Sequence, residues 1–110
     1  MSNALINLFE NLPDASNEEK IELLVCNDAV RIERIVSKGQ ISPEGFWYDQ
    51  NEDEFVLLLK GAAKLQFENE EQECLLAEGD CLVIPAHCRH RISWTSLKTE
   101  TIWLAVFTKI

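Results

Sequence analysis

His87 and His90 are the only imidazoles among the 110 residues of this chain. A neutral imidazole nitrogen can hold a divalent ion, and near neutral pH it can pass a proton. Nineteen Asp and Glu supply carboxylate partners in abundance. If the segment from 48 to 54 runs extended, its period of two places Tyr48, Gln50 and Glu54 on one face. Asp49 then points the opposite way unless a bulge intervenes. Within the run Asn51-Glu52-Asp53-Glu54, Glu54 is the member expected to point inward. A centre needing three histidines from one chain is impossible here.

Four cysteines stand at 26, 74, 81 and 88, with no C-x-x-C pair and no zinc-finger spacing. They read as free thiols of a reducing compartment and as small buried hydrophobes. Ten Lys and Arg against nineteen Asp and Glu give a net charge of −9. Phosphate contacts need clustered basic side chains, so nucleic acid is not an expected partner. An anionic membrane surface is disfavoured for the same reason. No apolar run approaches the ~20 residues of a spanning helix. The start, MSNALINLFENLP, lacks the basic region and long apolar stretch of a secretory signal, so the expected location is cytoplasmic.

These residues must be positioned by the elements around them. Residues 1–17 read as an N-terminal extension and 18–110 as one domain. Leu5, Ile6, Leu8, Phe9 and Leu12 suggest a short amphipathic turn of helix before Pro13. Ser16 and Glu19 fit a capping box, which allows a helix over 17–25. The preferred reading is a strand through Ile21 to Val25, a turn at Asn27-Asp28, and a second strand from Val30 to Val36. Further strands are expected at 54–60, 63–67, 74–76, 81–84, 89–94 and 101–107. Gly61, Asn69-Glu70-Glu71 and Glu78-Gly79-Asp80 mark turns between them. Short strands at this spacing indicate an all-β sandwich or barrel, whose interior can hold a ligand.

The stretch GDCLVIPAHCRHRISW resembles the second motif of the cupin superfamily. Gly79, Pro85 and His90 fall in register, while His87 and Trp94 stand where that motif has Gly and Asn. Glu54 and Gly61 match the end of the first motif. Its two histidine positions hold Tyr48 and Gln50, or Trp47 and Asp49 at the longer spacing. Seventeen residues, 62–78, separate the motifs, as in compact single-domain cupins. The resemblance covers about residues 20–107. It implies a cupin-type double-stranded β-helix, or jelly-roll barrel, following a short N-terminal extension.

The resemblance also implies an interior site in which His90 approaches Glu54 from a neighbouring strand. Glu54, His90 and the carbonyl oxygen of Gln50 would there hold Fe, Mn, Ni or Zn weakly. The alternative is a metal-free hydrogen-bonded or ion pair between Glu54 and His90. Burying Glu54 without a partner would cost several kcal/mol. Tyr48, Trp94 and Cys88 are the candidate ligand-binding residues, and His87 reads as an exposed turn residue. Arg31, Arg34, Arg89 and Arg91 read as surface ion-pairing groups. No catalytic residue is assigned. Three functions stay open: a small-molecule binder, a metal-dependent dioxygenase or isomerase, and a non-catalytic interaction module. A homodimer paired through an exposed first strand is what the resemblance implies about assembly.

Overall fold

The computed structural model describes residues 5–109, so residues 1–4 and 110 of the two expected segments lie outside it. Every regular element among the described residues is a strand. The strands are β1 (Lys20–Cys26), β2 (Val30–Ser37), β3 (Asp53–Lys60), β4 (Ala63–Phe67), β5 (Cys74–Leu76), β6 (Cys81–Ile84), β7 (His90–Thr95) and β8 (Thr101–Thr108). They form a five-stranded sheet in the order β1-β2-β8-β3-β6 and a three-stranded sheet in the order β5-β4-β7. All ladders are antiparallel. This is the jelly-roll barrel expected from the sequence.

Alternation builds the two layers. Val56 and Leu58 on β3, Leu65 on β4, Ile84 on β6 and Trp103 on β8 turn inward and form one buried cluster with Ala63 and Leu76. Burying a Leu or Ile side chain contributes about 2 kcal/mol. Leu58, Leu76 and Ile84 are almost wholly shielded. The opposite faces of β3 and β6 carry Phe55 and Val83, which are exposed.

The first hairpin forms as the preferred reading has it. Asn27 Oδ1 accepts from the amides of Ala29 and Val30, and the Asn27 amide donates to the Val30 carbonyl. This side chain closes the turn, and β1 then pairs along β2 from Lys20–Val36 to Cys26–Arg31. Residues 17–19 form no helix.

The extension differs from expectation. Residues 5–12 make an irregular turn rather than a helical one. Arg34 explains the path. Its guanidinium donates to the carbonyls of Leu8 and Glu10 at 3.2 and 3.1 Å and pairs with Glu22 at 2.6 Å. Those carbonyls are therefore turned toward the cation instead of along a helix axis. Arg34 is a buried anchor, not a surface ion-pairing group. Ala15, further along the extension, is also buried.

The cysteines depart from expectation as well. Cys26, Cys74 and Cys81 are exposed, Cys88 is half-buried, and all four are free thiols. Cys81 has the opposite parity to the inward-facing Ile84, and Cys74 is the exposed first residue of β5.

Candidate functional site

A cavity of about 270 Å³ opens between the two sheets. Its floor is apolar, made by Val56, Leu65, Ile84, Ile92 and Trp103. Its polar corner holds Tyr48, Gln50, Glu54 and His90. The shared face expected for Tyr48, Gln50 and Glu54 is therefore present, although β3 begins only at Asp53. An isolated bridge supplies the missing guidance. The Tyr48 amide donates to the His90 carbonyl at 2.7 Å, and the His90 amide donates back at 3.2 Å.

Asp49 points away from the cavity and meets His87 Nδ1 at 2.8 Å. The His87 side chain is exposed, on a backbone with φ of 63°. Its amide donates to the Gln50 carbonyl at 2.7 Å, which ties the 48–50 segment to the loop after Pro85.

Glu54 and His90 do meet, but not from neighbouring strands. Glu54 lies on β3 of the larger sheet and His90 on β7 of the smaller one. They face each other across the barrel with Glu54 Oε1 and His90 Nε2 3.8 Å apart. Both are buried. The His90 ring stacks on Tyr48 at a centroid distance of 5.4 Å and tilts toward Phe67 at 6.2 Å.

Hydrogen bonds set the states of this corner. His90 Nδ1 lies 2.8 Å from the Cys88 carbonyl. A carbonyl only accepts, so Nδ1 carries the proton and neutral His90 turns the lone pair of Nε2 toward Glu54. Gln50 Nε2 donates to Glu54 Oε1 at 3.0 Å. The amide nitrogen of Gln50, not its carbonyl oxygen, therefore serves the carboxylate. Burial pushes the Glu54 carboxyl above its ordinary value, against the opposing pull of Gln50 and His90. Burial also raises Tyr48, assisted by the carboxylates of Glu19 and Glu54, so its phenol remains a donor.

Two of the six residues proposed for the site do not line the cavity. Trp94 points outward from β7, is 38% exposed, and lies 5.8 Å from Lys64 Nζ through its ring centroid. A bulge in the β4–β7 ladder between Lys64 and Leu65 accompanies this placement. Cys88 offers its backbone carbonyl to His90 and packs its side chain against the core instead.

Conversely, Glu19, Arg31, Glu33, Trp103 and Phe107 line the cavity without having been singled out as site residues. Glu19 lies outside any periodic stretch, and the alternation of 30–36 suggests Val30 and Ile32 as the inward members, whereas Arg31, Glu33 and Ile35 are the ones that border the cavity. Ser37 Oγ donates to Glu19 at 3.2 Å, and burial raises the Glu19 carboxyl. Arg31 Nε donates to Glu33 at 3.0 Å, and Nη1 to Glu52 at 3.1 Å. The guanidinium also covers the Phe107 ring, 4.1 Å from its centroid.

The donors can be tested against a metal. Catalytic zinc sites, for example, take three protein ligands and leave one position open. This corner offers one imidazole lone pair and one carboxylate, with Gln50 engaged as a donor. Among the described residues no group of three or more His, Cys, Asp or Glu is arranged to hold an ion. One imidazole and one carboxylate fall short of the three protein ligands of such a centre.

The two sheets and the polar corner between them define a small β-barrel domain with an interior cavity. Residues 33–107 match the family model described as "Cupin domain", and the chain belongs to this family. No curated protein matches the chain. Among solved structures, one from Ralstonia eutropha JMP134, provisionally described as a mannose-6-phosphate isomerase, is 40% identical with a TM-score of 0.93. That match covers 98% of this chain and all of the other. KdgF from Halomonas sp. is 17% identical with a TM-score of 0.73, covering 100% of this chain and 96% of that one. An RmlC-like cupin from Methanocaldococcus jannaschii, with a double-stranded β-helix fold, is 19% identical with a TM-score of 0.70. That alignment covers 90% of this chain and 87% of the other. The last two likenesses bear on the fold alone.

Proposed function

We propose that this cupin domain binds a small organic molecule in the barrel interior. The observation that carries this reading is the composition of the cavity wall. An apolar floor ends in four polar side chains that converge on one corner. Pockets of this kind take the apolar body of a ligand on the wall and fix its orientation with a few polar contacts. Tyr48 donates, Glu54 and His90 Nε2 accept, and Gln50 holds the carboxylate in place. The modest volume favours a compact ligand.

The binding test is a thermal-shift screen of small metabolites against the unmodified chain and Glu54→Gln. A hit that stabilises the unmodified chain and is lost or weakened in the variant supports the reading. A broad panel without a single hit would overturn it.

A weakly held, exchangeable divalent ion is the second reading. It rests on the Nε2 lone pair of His90 facing Glu54 at 3.8 Å. Elemental analysis of untagged protein, alongside Glu54→Ala and His90→Ala, tests it. Metal taken up on incubation with Mn, Fe, Ni or Zn, and lost in both variants, would support the ion and justify a screen for isomerase and dioxygenase activity. Metal-free protein that gains no thermal stability from Mn, Fe, Ni or Zn would remove it.

We further propose that the chain forms a homodimer through β1. This strand ends the larger sheet with one ladder unpaired, and its Ile21, Leu23 and Val25 are exposed. Sedimentation of the chain and of Leu23→Lys compares the two states. No helix among the described residues is long and apolar enough to cross a membrane. The free thiols favour a reducing compartment such as the cytoplasm.

A further inference from the structure

The acceptors at the polar corner narrow the class of ligand, given the binding reading above. His90 is 4% exposed and Glu54 7%. Among the described residues, Arg91 Nε and Trp103 Nε1 are the side-chain atoms sealed from solvent without a hydrogen-bond partner. His90 Nε2 and Glu54 Oε2 have no partner there either, yet they are not sealed. Both residues line the cavity, so these two atoms open on it. Two side chains more than nine-tenths buried thus present unpaired polar atoms to one interior space. Such atoms ordinarily find a partner, because an unmade bond in a low-dielectric interior is costly.

Both sides of this corner accept. The Cys88 carbonyl holds the proton on Nδ1, so Nε2 of neutral His90 offers a lone pair. Glu54 keeps acceptor capacity whether or not it is ionised. Gln50 donates to Oε1 and fixes the carboxyl in place. Oε1 and Nε2 lie 3.8 Å apart, too far to hydrogen-bond to each other. A ligand that brings two adjacent donors satisfies both sides at once. Hydroxyls on neighbouring carbons, staggered gauche, have that spacing. Each hydroxyl oxygen can also accept, and the Tyr48 phenol at the same corner is a donor.

We propose that the cavity selects an uncharged vicinal diol with an apolar body, one hydroxyl donating to His90 Nε2 and the other to the Glu54 carboxyl. The carbon skeleton lies against Val56, Ile84 and Ile92 of the apolar floor. A molecule hydroxylated all round is disfavoured, because its remaining hydroxyls would be buried on that floor without partners.

The test titrates cis-1,2-cyclohexanediol, its monomethyl ether and trans-1,4-cyclohexanediol into the unmodified chain, followed by protein NMR. The ether removes one donor, and the 1,4-isomer keeps both but sets them too far apart. The expected result is that the 1,2-diol binds at least about tenfold more tightly than either. Its advantage over the ether should vanish in His90→Phe and in Glu54→Leu. myo-Inositol, with a hydroxyl on every carbon, should bind more weakly than the 1,2-diol. Equal binding of the three cyclohexane compounds, an advantage that survives both substitutions, or tighter binding of myo-inositol would overturn this assignment while leaving the cavity a binding site. A 1,2-diol that fails to bind while the broad screen yields hits would do the same. Failure of every ring compound, with the broad screen also empty, would overturn both readings.

Discussion

Glu54 and His90 face each other across the barrel, Oε1 to Nε2 at 3.8 Å, from strands in opposite sheets. Nothing in either strand's own ladder brings them together. The contact exists because β3 and β7 each turn one face to the same interior, and because Tyr48 bridges to the backbone of His90. It joins the two layers at the polar end of an otherwise apolar core.

The burial of Glu54 has a consequence for acid titration. Its folded-state value lies above the ordinary 4.5 because burial disfavours the charged form. The folded chain then holds a proton that the unfolded chain releases. The associated stability is fully present below about 4.5 and is lost as pH rises through the folded value. Glu19 acts with the same sign. Denaturant unfolding from pH 4 to 8 should show a shallower decline for Glu54→Gln than for the unmodified chain. An unchanged slope would mean that Glu54 ionises freely in the fold.

Gly61 and Gly79 should respond differently to alanine. Both have positive φ, 90° and 92°. A Cβ at Gly61 would meet Thr101 Cα and the Glu100 carbonyl at 2.8 Å, whereas at Gly79 it would meet open space. Gly79→Ala should cost about 1 kcal/mol from backbone strain alone. Gly61→Ala should cost roughly 2–4 kcal/mol, because the β3–β4 turn must also move away from β8. Equal losses in equilibrium unfolding would refute the steric part of this account.

Arg34→Met should release the N-terminal extension. The variant loses the ion pair to Glu22 and the donors that hold the carbonyls of Leu8 and Glu10. A loss of about 2–3 kcal/mol is expected, together with faster proteolytic cleavage within residues 5–12. Slow cleavage unchanged from the parent chain would show that Ala15 and its neighbours hold the extension unaided.

Trp94→Ala should leave ligand binding untouched. Its ring contacts Lys64 on the outer face, so the expected stability loss is about 0.5–1 kcal/mol. A binding defect in this variant would require the ligand to lie outside the barrel interior.

Much of the framework was legible in the residues. Period-two alternation in Ala63-Lys64-Leu65-Gln66-Phe67 marks β4 with its ends intact. Gly79-Asp80 marks the turn before β6, where the Asp80 side chain accepts from the Ala77 amide at 2.8 Å. Arg34 was not legible as an anchor, because its partners are backbone carbonyls more than twenty residues earlier. The outward placement of Trp94 was not legible either, because Ser93 is the extra residue of a bulge in β7 that breaks the parity running from His90.

By itself the sequence determined the strand inventory, the turns and the absence of a three-histidine centre. These follow from local periodicity, backbone preferences at Gly and Asn, and residue counts. The tertiary structure alone decided which carboxylates share the cavity, which strand faces Glu54, and that Trp103 Nε1 has no partner among the described residues. Alternation assigns a side chain to one face of its own strand. What lies opposite that face is set by the closure of two sheets, through contacts between residues far apart in the chain.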